Sequence, residues 1–262
     1  KADAYIEISD NLTFLKDNSF IWTSEQDGYN HIYHYKSDGT PKRQITSGKW
    51  DVTNFYGYDE KSGYLYFQSS MTEPYNTEVC RVKLNGKGLK VLNPAVGSNS
   101  ANFSTGNKYF ILTHSDANTP ATYGLHKADG QLVRTIVDNS ELRETLDGYA
   151  LGSKEFFTFE TSEGVSLNGW MMKPADFDSS KEYPVLMYVY GGPGSQTVTN
   201  GWGGANQMWY HMLNQKGYIV VSIDNRGTGH RGRDFRTVTY QQLGKYEIAD
   251  QIEGAKYLAG LE

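Results

Sequence analysis

A turn dipeptide returns at a nearly constant interval along the first half of this chain. Asp38-Gly39, Asn85-Gly86 and Asp129-Gly130 lie 47 and 44 residues apart. Each follows a run rich in Tyr or aliphatic side chains: His31 to Tyr35, Val79 to Leu84, and Tyr123 to His126. Each precedes a short strand-like run: Arg43 to Thr46, Leu89 to Leu92, and Val133 to Val137. A further apolar run stands upstream of each hairpin, at Phe20 to Thr23, Tyr64 to Gln68 and Tyr109 to Thr113. Asp-Gly or Asn-Gly between alternating strands predicts a tight hairpin. A type I′ turn is the expected form, because both its central positions need positive φ. An interval of about 45 residues with about four strands in each is the signature of β-propeller blades. A β-sandwich whose turns are evenly spaced by coincidence is the alternative.

The repeat constrains the rest of the chain. A closed propeller needs about four blades or more. About two complete units plus parts of others are present over residues 1–138. A partial propeller leaves the faces of its end blades uncovered, so the chain is expected to be a piece of a longer one, cut on its N-terminal side. It starts Lys1-Ala2-Asp3-Ala4, with neither an initiator Met nor a signal-peptide pattern. Location is therefore not readable from this end.

Near residue 138 the pattern changes. Asp138-Asn139-Ser140 predicts a helix cap, with a short helix over Glu141 to Leu146. Phe156 to Thr161 and Leu167 to Met172 are expected to pair across Ser162-Glu163-Gly164. Val185 to Tyr190 and Tyr218 to Ile223 are continuous apolar runs and read as buried strands. Gln207 to Asn214 reads as a helix with Trp209, Met212 and Leu213 on one face. Tyr240 to Leu261 reads as a long helix with Ile248, Ile252, Ala255 and Leu258 at helical spacing. Strands without alternation, separated by helices, predict an α/β domain with a covered, largely parallel sheet.

In such sheets ligands bind beyond the carboxyl ends of the strands. The run Pro184 to Met187 leads to such an end, at Tyr190-Gly191-Gly192-Pro193. Two glycines let the backbone turn sharply and approach a ligand closely. A Gly-rich loop in this place supplies part of the oxyanion hole in α/β-hydrolases, and a Tyr hydroxyl can serve as its donor. The residues alone leave open a tight turn whose Tyr only packs.

At this point the sequence resembles the dipeptidyl peptidase IV family of the prolyl oligopeptidase superfamily. The resemblance runs over nearly the whole chain. It is carried by "FIWTSEQDGYNHIY" (20–33), "ITSGKWDV" (45–52), "VDNSEL" (137–142), "YPVLMYVYGGPGSQ" (183–196), "SIDNRGTGHRGRDF" (222–235) and "LGKYEIADQIEGAKYL" (243–258). Their order and spacing together are specific. The resemblance implies an all-β plus α/β fold: the C-terminal blades of a β-propeller over 1–138, then the N-terminal portion of an α/β-hydrolase domain over 139–262. It implies a serine exopeptidase that releases X-Pro or X-Ala dipeptides from a peptide with a free N-terminus. An acyl-enzyme would form on Ser, with His as general base and Asp orienting it. Tyr190 matches the family's oxyanion tyrosine. The resemblance also implies a homodimeric parent in a periplasmic or secreted location.

The nucleophile elbow G-x-S-x-G is absent from these residues. Ser195 follows Gly194 directly, and Ser166 has Asn168 where the second glycine belongs. In the family Ser, Asp and His all follow the helix that ends near Glu262, and the paired glutamates that hold the substrate's amine lie in an earlier propeller segment. The fragment is therefore expected to be inactive, with no assignable substrate-binding residue. The alternative function is a propeller binding module on a degenerate, non-catalytic hydrolase. A third reading, an esterase with a decorated N-terminus, conflicts with the blade interval. No cofactor or metal is expected: His31 and His34 fall on opposite faces of a strand, so they do not form a paired metal site. A net charge of −5 and a pI near 5.7 lack the footprint of a nucleic-acid binder, and the apolar runs are too short to span a bilayer.

Other polar residues read as structural. Arg226 is expected to form an ion pair that fixes its loop, His230 to be solvent-exposed, and Glu247 and Asp250 to be solvated or to cap the helix. Cys80, the single cysteine, and Trp50 are expected to pack within blades.

Overall fold

The structure, a computed structural model, describes residues 4–6 and 9–261; the opening Lys1-Ala2-Asp3 and the terminal Glu262 lie outside the described residues. The contacts divide the chain into two units. One holds the described residues through Ser115, Ala121–Asp138 and His230–Asp234; the other holds Asp116–Pro120, Asn139–Gly229 and the described residues from Phe235 onward.

The first unit consists of three four-stranded antiparallel sheets, the propeller blades. The first sheet is β1 (Thr13–Phe14), β2 (Phe20–Ser24), β3 (His31–Tyr35) and β4 (Pro41–Gln44). The second is β5 (Val52–Asp59), β6 (Tyr64–Ser69), β7 (Glu78–Lys83) and β8 (Lys90–Val91). The third is β9 (Ser98–Phe103), β10 (Tyr109–Ser115), β11 (Thr122–Lys127) and β12 (Leu132–Val137). The sequence count gives about two complete units because β1 and β8, at 2 residues each, are too short to register as alternating runs.

The repeated dipeptides close the hairpins between the third and fourth strand of each sheet, but not as type I′ turns. Gly39, Gly86 and Gly130 stand at φ of 83°, 79° and 94°, whereas Asp38, Asn85 and Asp129 are not at positive φ. Each glycine N–H donates three residues back, to the carbonyls of Lys36 (3.0 Å), Lys83 (2.8 Å) and Lys127 (2.9 Å). The pattern is a type I turn completed by a left-handed glycine that forms a bulge. The acid or amide before the glycine has its own task. Asp38 Oδ1 accepts from Thr40 N–H at 2.9 Å, Asn85 Oδ1 from Lys87 N–H at 3.0 Å, and Asp129 Oδ1 from Gln131 N–H at 3.0 Å. The short side chain thereby satisfies a donor that the turn leaves free.

The core forms between sheets. Ile21 and Ile32 of the first sheet, with Ile45 just beyond β4, meet Val52, Leu65, Phe67, Cys80 and Val82 of the second. Tyr66 and Val79, on the opposite face of the second sheet, meet Phe110 and Leu112 of the third. Consecutive residues of β6 thus feed two cores, the period-2 alternation of a strand covered on both faces. Trp50 stacks on Phe67 with ring centroids 6.3 Å apart, and burial pushes the Cys80 thiol up to about 12. Each stands inside a blade core. In contrast, all of β12 is exposed, including Leu132, Val133, Ile136 and Val137.

In the second unit, α1 (Ser140–Asp147) leads to β13 (Lys154–Glu160), β14 (Ser166–Met172), β15 (Val185–Tyr188), α2 (Gly204–Gln215) and β16 (Ile219–Asp224). The short α3 (Arg233–Thr237) and the long α4 (Lys245–Ala259) follow. The sheet order is β13-β14-β16-β15. Only β15 and β16 run parallel; β13 with β14 and β14 with β16 are antiparallel. The sheet is therefore mixed rather than largely parallel, because the first two strands form a hairpin across Thr161–Val165.

Both longer helices turn a different face to their neighbours than the apolar periodicity predicts. On α2 the buried residues are Gln207, His211, Leu213 and Asn214, while Trp209 is 57% exposed. The N–H ends of both buried amides have partners, whereas Asn214 Oδ1 accepts no hydrogen bond among the described residues. Gln207 Nε2 donates to Ala117 O at 2.7 Å, and Asn214 Nδ2 donates to the carbonyls of Met172 and Tyr218, both at 2.9 Å. On α4 the buried residues are Asp250 and Gly254, while Ile248 is 59% and Ile252 50% exposed. A Cβ on Gly254 would overlap Ile223, and Tyr257 stacks on Phe159 at 4.8 Å. The missing side chain at Gly254 is what lets the helix approach the sheet closely.

Candidate active site

β15 ends at Tyr188, two residues before Tyr190. It is the edge strand of its sheet among the described residues, and Val185 and Tyr188 are exposed rather than buried. Its continuous apolar run signals potential burial on both faces, which the described elements only partly supply. Ser222 Oγ on β16 donates to Tyr188 O at 2.7 Å and fixes the strand's carboxyl end.

Beyond that end the chain turns at Gly191, where φ is 67°. Tyr190 is 67% exposed and its hydroxyl makes no hydrogen bond among the described residues. The ring lies against Gly192: a Cβ there would stand 3.2 Å from Tyr190 Cε1 and 3.6 Å from its hydroxyl oxygen. A phenol in this state can donate to an incoming acceptor without breaking an existing bond.

The loop after Gly192 is tied down by backbone. Gly194 N–H donates to Gly227 O at 2.8 Å, and Gly229 N–H donates to Ser195 O at 3.0 Å. Ser195 N–H donates to Gly192 O at 3.0 Å and its Oγ donates to the same carbonyl. Ser195 is thus a turn residue, and Ser166 begins β14. Further along, Asp224 accepts from Thr197 N–H at 2.8 Å, Thr197 Oγ1 at 2.9 Å and Val198 N–H at 3.2 Å.

The segment after β16 holds a buried ion pair. Asp250, wholly buried, accepts from Arg226 N–H at 2.7 Å, Nε at 3.0 Å and Nη2 at 2.7 Å. Arg226 Nη1 reaches Glu163 at 2.7 Å, and its guanidinium lies 4.7 Å from the Tyr246 ring centroid. The Arg226 side chain fixes its loop as an ion pair. Asp250 is neither solvated nor a cap. Glu247 is the capping residue, accepting from Gly244 N–H at 3.0 Å. His230 also departs from expectation. It is partly buried, and its Nδ1 pairs with Pro74 O at 3.1 Å, a contact between segments too far apart in sequence for any local pattern to signal.

Three further polar groups escape sequence reasoning. Asn225 is wholly buried directly beneath Gly191. Lys154 is buried with Nζ 4.9 Å from the Trp170 ring centroid, and desolvation lowers its ammonium to about 8. His211 is buried too; desolvation first and the Lys154 charge second disfavour its protonation. Among the described residues, no group of three or more His, Cys, Asp and Glu side chains is placed to hold a metal ion, and no helix is long and apolar enough to cross a membrane.

Residues 1–121 match the family model described as the dipeptidyl peptidase IV N-terminal region, and residues 206–262 match that of the prolyl oligopeptidase family. The chain is similar to the crystal structure of Porphyromonas gingivalis dipeptidyl peptidase 4, with a TM-score of 0.89 and 42% identity, covering 95% of this chain and 35% of that one. It is 34% identical over 245 residues to a dipeptidyl peptidase 4 of Arthroderma otae, covering 90% of this chain and 31% of that protein. The chain spans about a third of the length of the curated relatives it matches.

Proposed function

Since this chain belongs to the dipeptidyl peptidase IV family, we propose that the full-length protein is a serine exopeptidase in which Tyr190 donates to the oxyanion. It releases X-Pro or X-Ala dipeptides from a peptide with a free N-terminus. Residues 1–138 form part of its propeller, and 139–262 form the N-terminal portion of its α/β-hydrolase domain. Ser, His and Asp outside these residues supply the nucleophile, base and orienting group, so the 262-residue fragment alone hydrolyses nothing.

One observation carries the reading. Tyr190 stands just beyond the carboxyl end of β15, exposed, with its hydroxyl unengaged among the described residues and its backbone set by a left-handed glycine. A tetrahedral intermediate develops charge on the former carbonyl oxygen, and a fixed donor there lowers the barrier without reorganising. A phenol that already held a protein acceptor would first have to release it.

The test is Tyr190→Phe in the full-length protein, assayed on glycyl-prolyl p-nitroanilide. Loss of one oxyanion donor is expected to lower kcat by about 10²–10³, with KM little changed. An unaltered kcat would overturn the role of Tyr190. A full-length protein without hydrolysis, purified and folded, would instead establish the binding-module reading.

A further inference from the structure

The turn that carries Tyr190 rests on a buried amide that the peptidase reading does not use. Asn225 Nδ2 donates to Gly191 O at 3.2 Å and to Arg226 O at 2.7 Å. Its Oδ1 accepts from Gln251 Nε2 at 3.0 Å, and the same nitrogen of Gln251 donates to Ile223 O at 2.9 Å. Asn225 O in turn accepts from Thr228 N–H at 3.2 Å and Oγ1 at 2.9 Å. Asn225 has no solvent exposure, and the side chain is fixed from both ends.

The packing is as specific as the hydrogen bonds. A Cβ at residue 191 would overlap Asn225 Oδ1, so the glycine accommodates the amide as well as the positive φ. A line of contacts therefore runs from α4 through Gln251 to Asn225, from Asn225 to the Gly191 carbonyl, and from Gly191 to the neighbouring Tyr190. The Arg226–Asp250 pair, one residue on from Asn225 and one residue before Gln251, clamps the same two elements together.

We infer that Asn225, braced by Gln251, is the positioning residue that sets the angle of the Tyr190 turn for oxyanion stabilisation. The inference rests on the reading of Tyr190 as the donor. Asn225 does not touch substrate. It acts by holding the Gly191 carbonyl, and with it the Gly191–Gly192 peptide one residue beyond Tyr190. Misplacing a catalytic donor by about 1 Å is enough to cost on the order of 10²-fold in rate, so a support of this kind acts on kcat.

A double-mutant cycle in the full-length protein tests it. Asn225→Leu keeps the branch at Cγ, though it is bulkier, and removes all three amide hydrogen bonds. It is expected to lower kcat on glycyl-prolyl p-nitroanilide roughly tenfold or more, with KM within about twofold. In the Tyr190→Phe background it is expected to cause almost no further loss, because the group it positions is gone. A residue that only supports folding would lower both backgrounds alike, so equal losses overturn the inference. So does an unchanged kcat in folded Asn225→Leu. Gln251→Leu is the second variant should Asn225→Leu not fold, with a smaller loss of the same kind and the same dependence on Tyr190. If Tyr190→Phe alone leaves kcat intact, the donor reading fails first; if it lowers kcat and Asn225→Leu adds to it fully, only the positioning role fails.

Discussion

The blades and the α/β unit both bury an apolar core, but they differ in what the surrounding elements add to it. In the blades, neighbouring strands put aliphatic and aromatic side chains into inter-sheet cores, and the same hairpin geometry recurs three times. In the α/β unit an apolar core of Phe159, Leu167, Met171, Val221 and Ile223 is flanked by buried polar side chains, several of which depend on particular partners. Asp250 needs Arg226; Gln207 needs the Ala117 carbonyl; Asn225 needs Gln251. A blade core tolerates substitution according to volume, whereas a polar helix face tolerates it according to whether a partner is left alone.

The largest expected effect separates these two kinds of interior by rescue rather than by size. Phe67→Ala in the blades and Asp250→Ala in the α/β unit should each cost about 3–5 kcal/mol, read as shifts in denaturant midpoint of the full-length protein. Adding Arg226→Met to Asp250→Ala should recover much of that loss, since the stranded buried cation is removed. No second deletion beside Phe67 should recover the blade. If Asp250→Ala proves nearly neutral, the contrast drawn here fails.

A titration sharpens the same contrast. Burial lowers Lys154 to about 8 from an ordinary 10.5, so between those values the unfolded chain holds more protons than the folded one. Stability should therefore rise as pH increases from about 8 to about 10.5, by roughly 3 kcal/mol over the window. Below about 8, where Lys154 is protonated in both states, this contribution should level off. Lys154→Met should flatten this slope in denaturation midpoints measured across the range.

The smallest effect lies in the turns. Gly39→Ala places a Cβ on a residue at φ 83° and should cost about 1–2 kcal/mol. Gly86→Ala and Gly130→Ala should cost at least as much, since each glycine also lies close to the preceding sheet's fourth-strand segment, at Ile45 and Leu92. Equal thermal shifts for the three variants would show that the close approaches add nothing.

These differences also explain what was legible in the sequence. The hairpins were visible because their signal is local: an Asx residue and a glycine at fixed offsets. The turn type is not legible there, because type I′ and the glycine-bulge form share that signal and differ only in the φ of the residue before the glycine. The strands and helices of the α/β unit were visible as periods, but which helix face turns inward was not. Gln207 is buried because a carbonyl 90 positions away accepts its proton, and no window along the chain contains that information. The apolar row Ile248, Ile252 and Ala255 drew attention from Gly254, whose lack of a side chain admits Ile223. Tyr190 was found through its Gly-Gly context. Asn225 carries no such mark, since one amide at a strand end resembles any other.

The membership of the two units has a consequence for the order of events on the ribosome. His230–Asp234 belongs with the blades, where Gly232 N–H donates to the buried Asp51 at 2.9 Å and Arg233 N–H to Gly28 O at 2.8 Å. Those partners emerge early in synthesis and the segment that completes them emerges late. The Asp51 Oδ1 can take the Asn30 N–H early, but Oδ2 gains the Gly232 N–H only after most of the second unit has been translated. The first unit's last hydrogen bonds are thus available only once the segment that follows β16 has been synthesised.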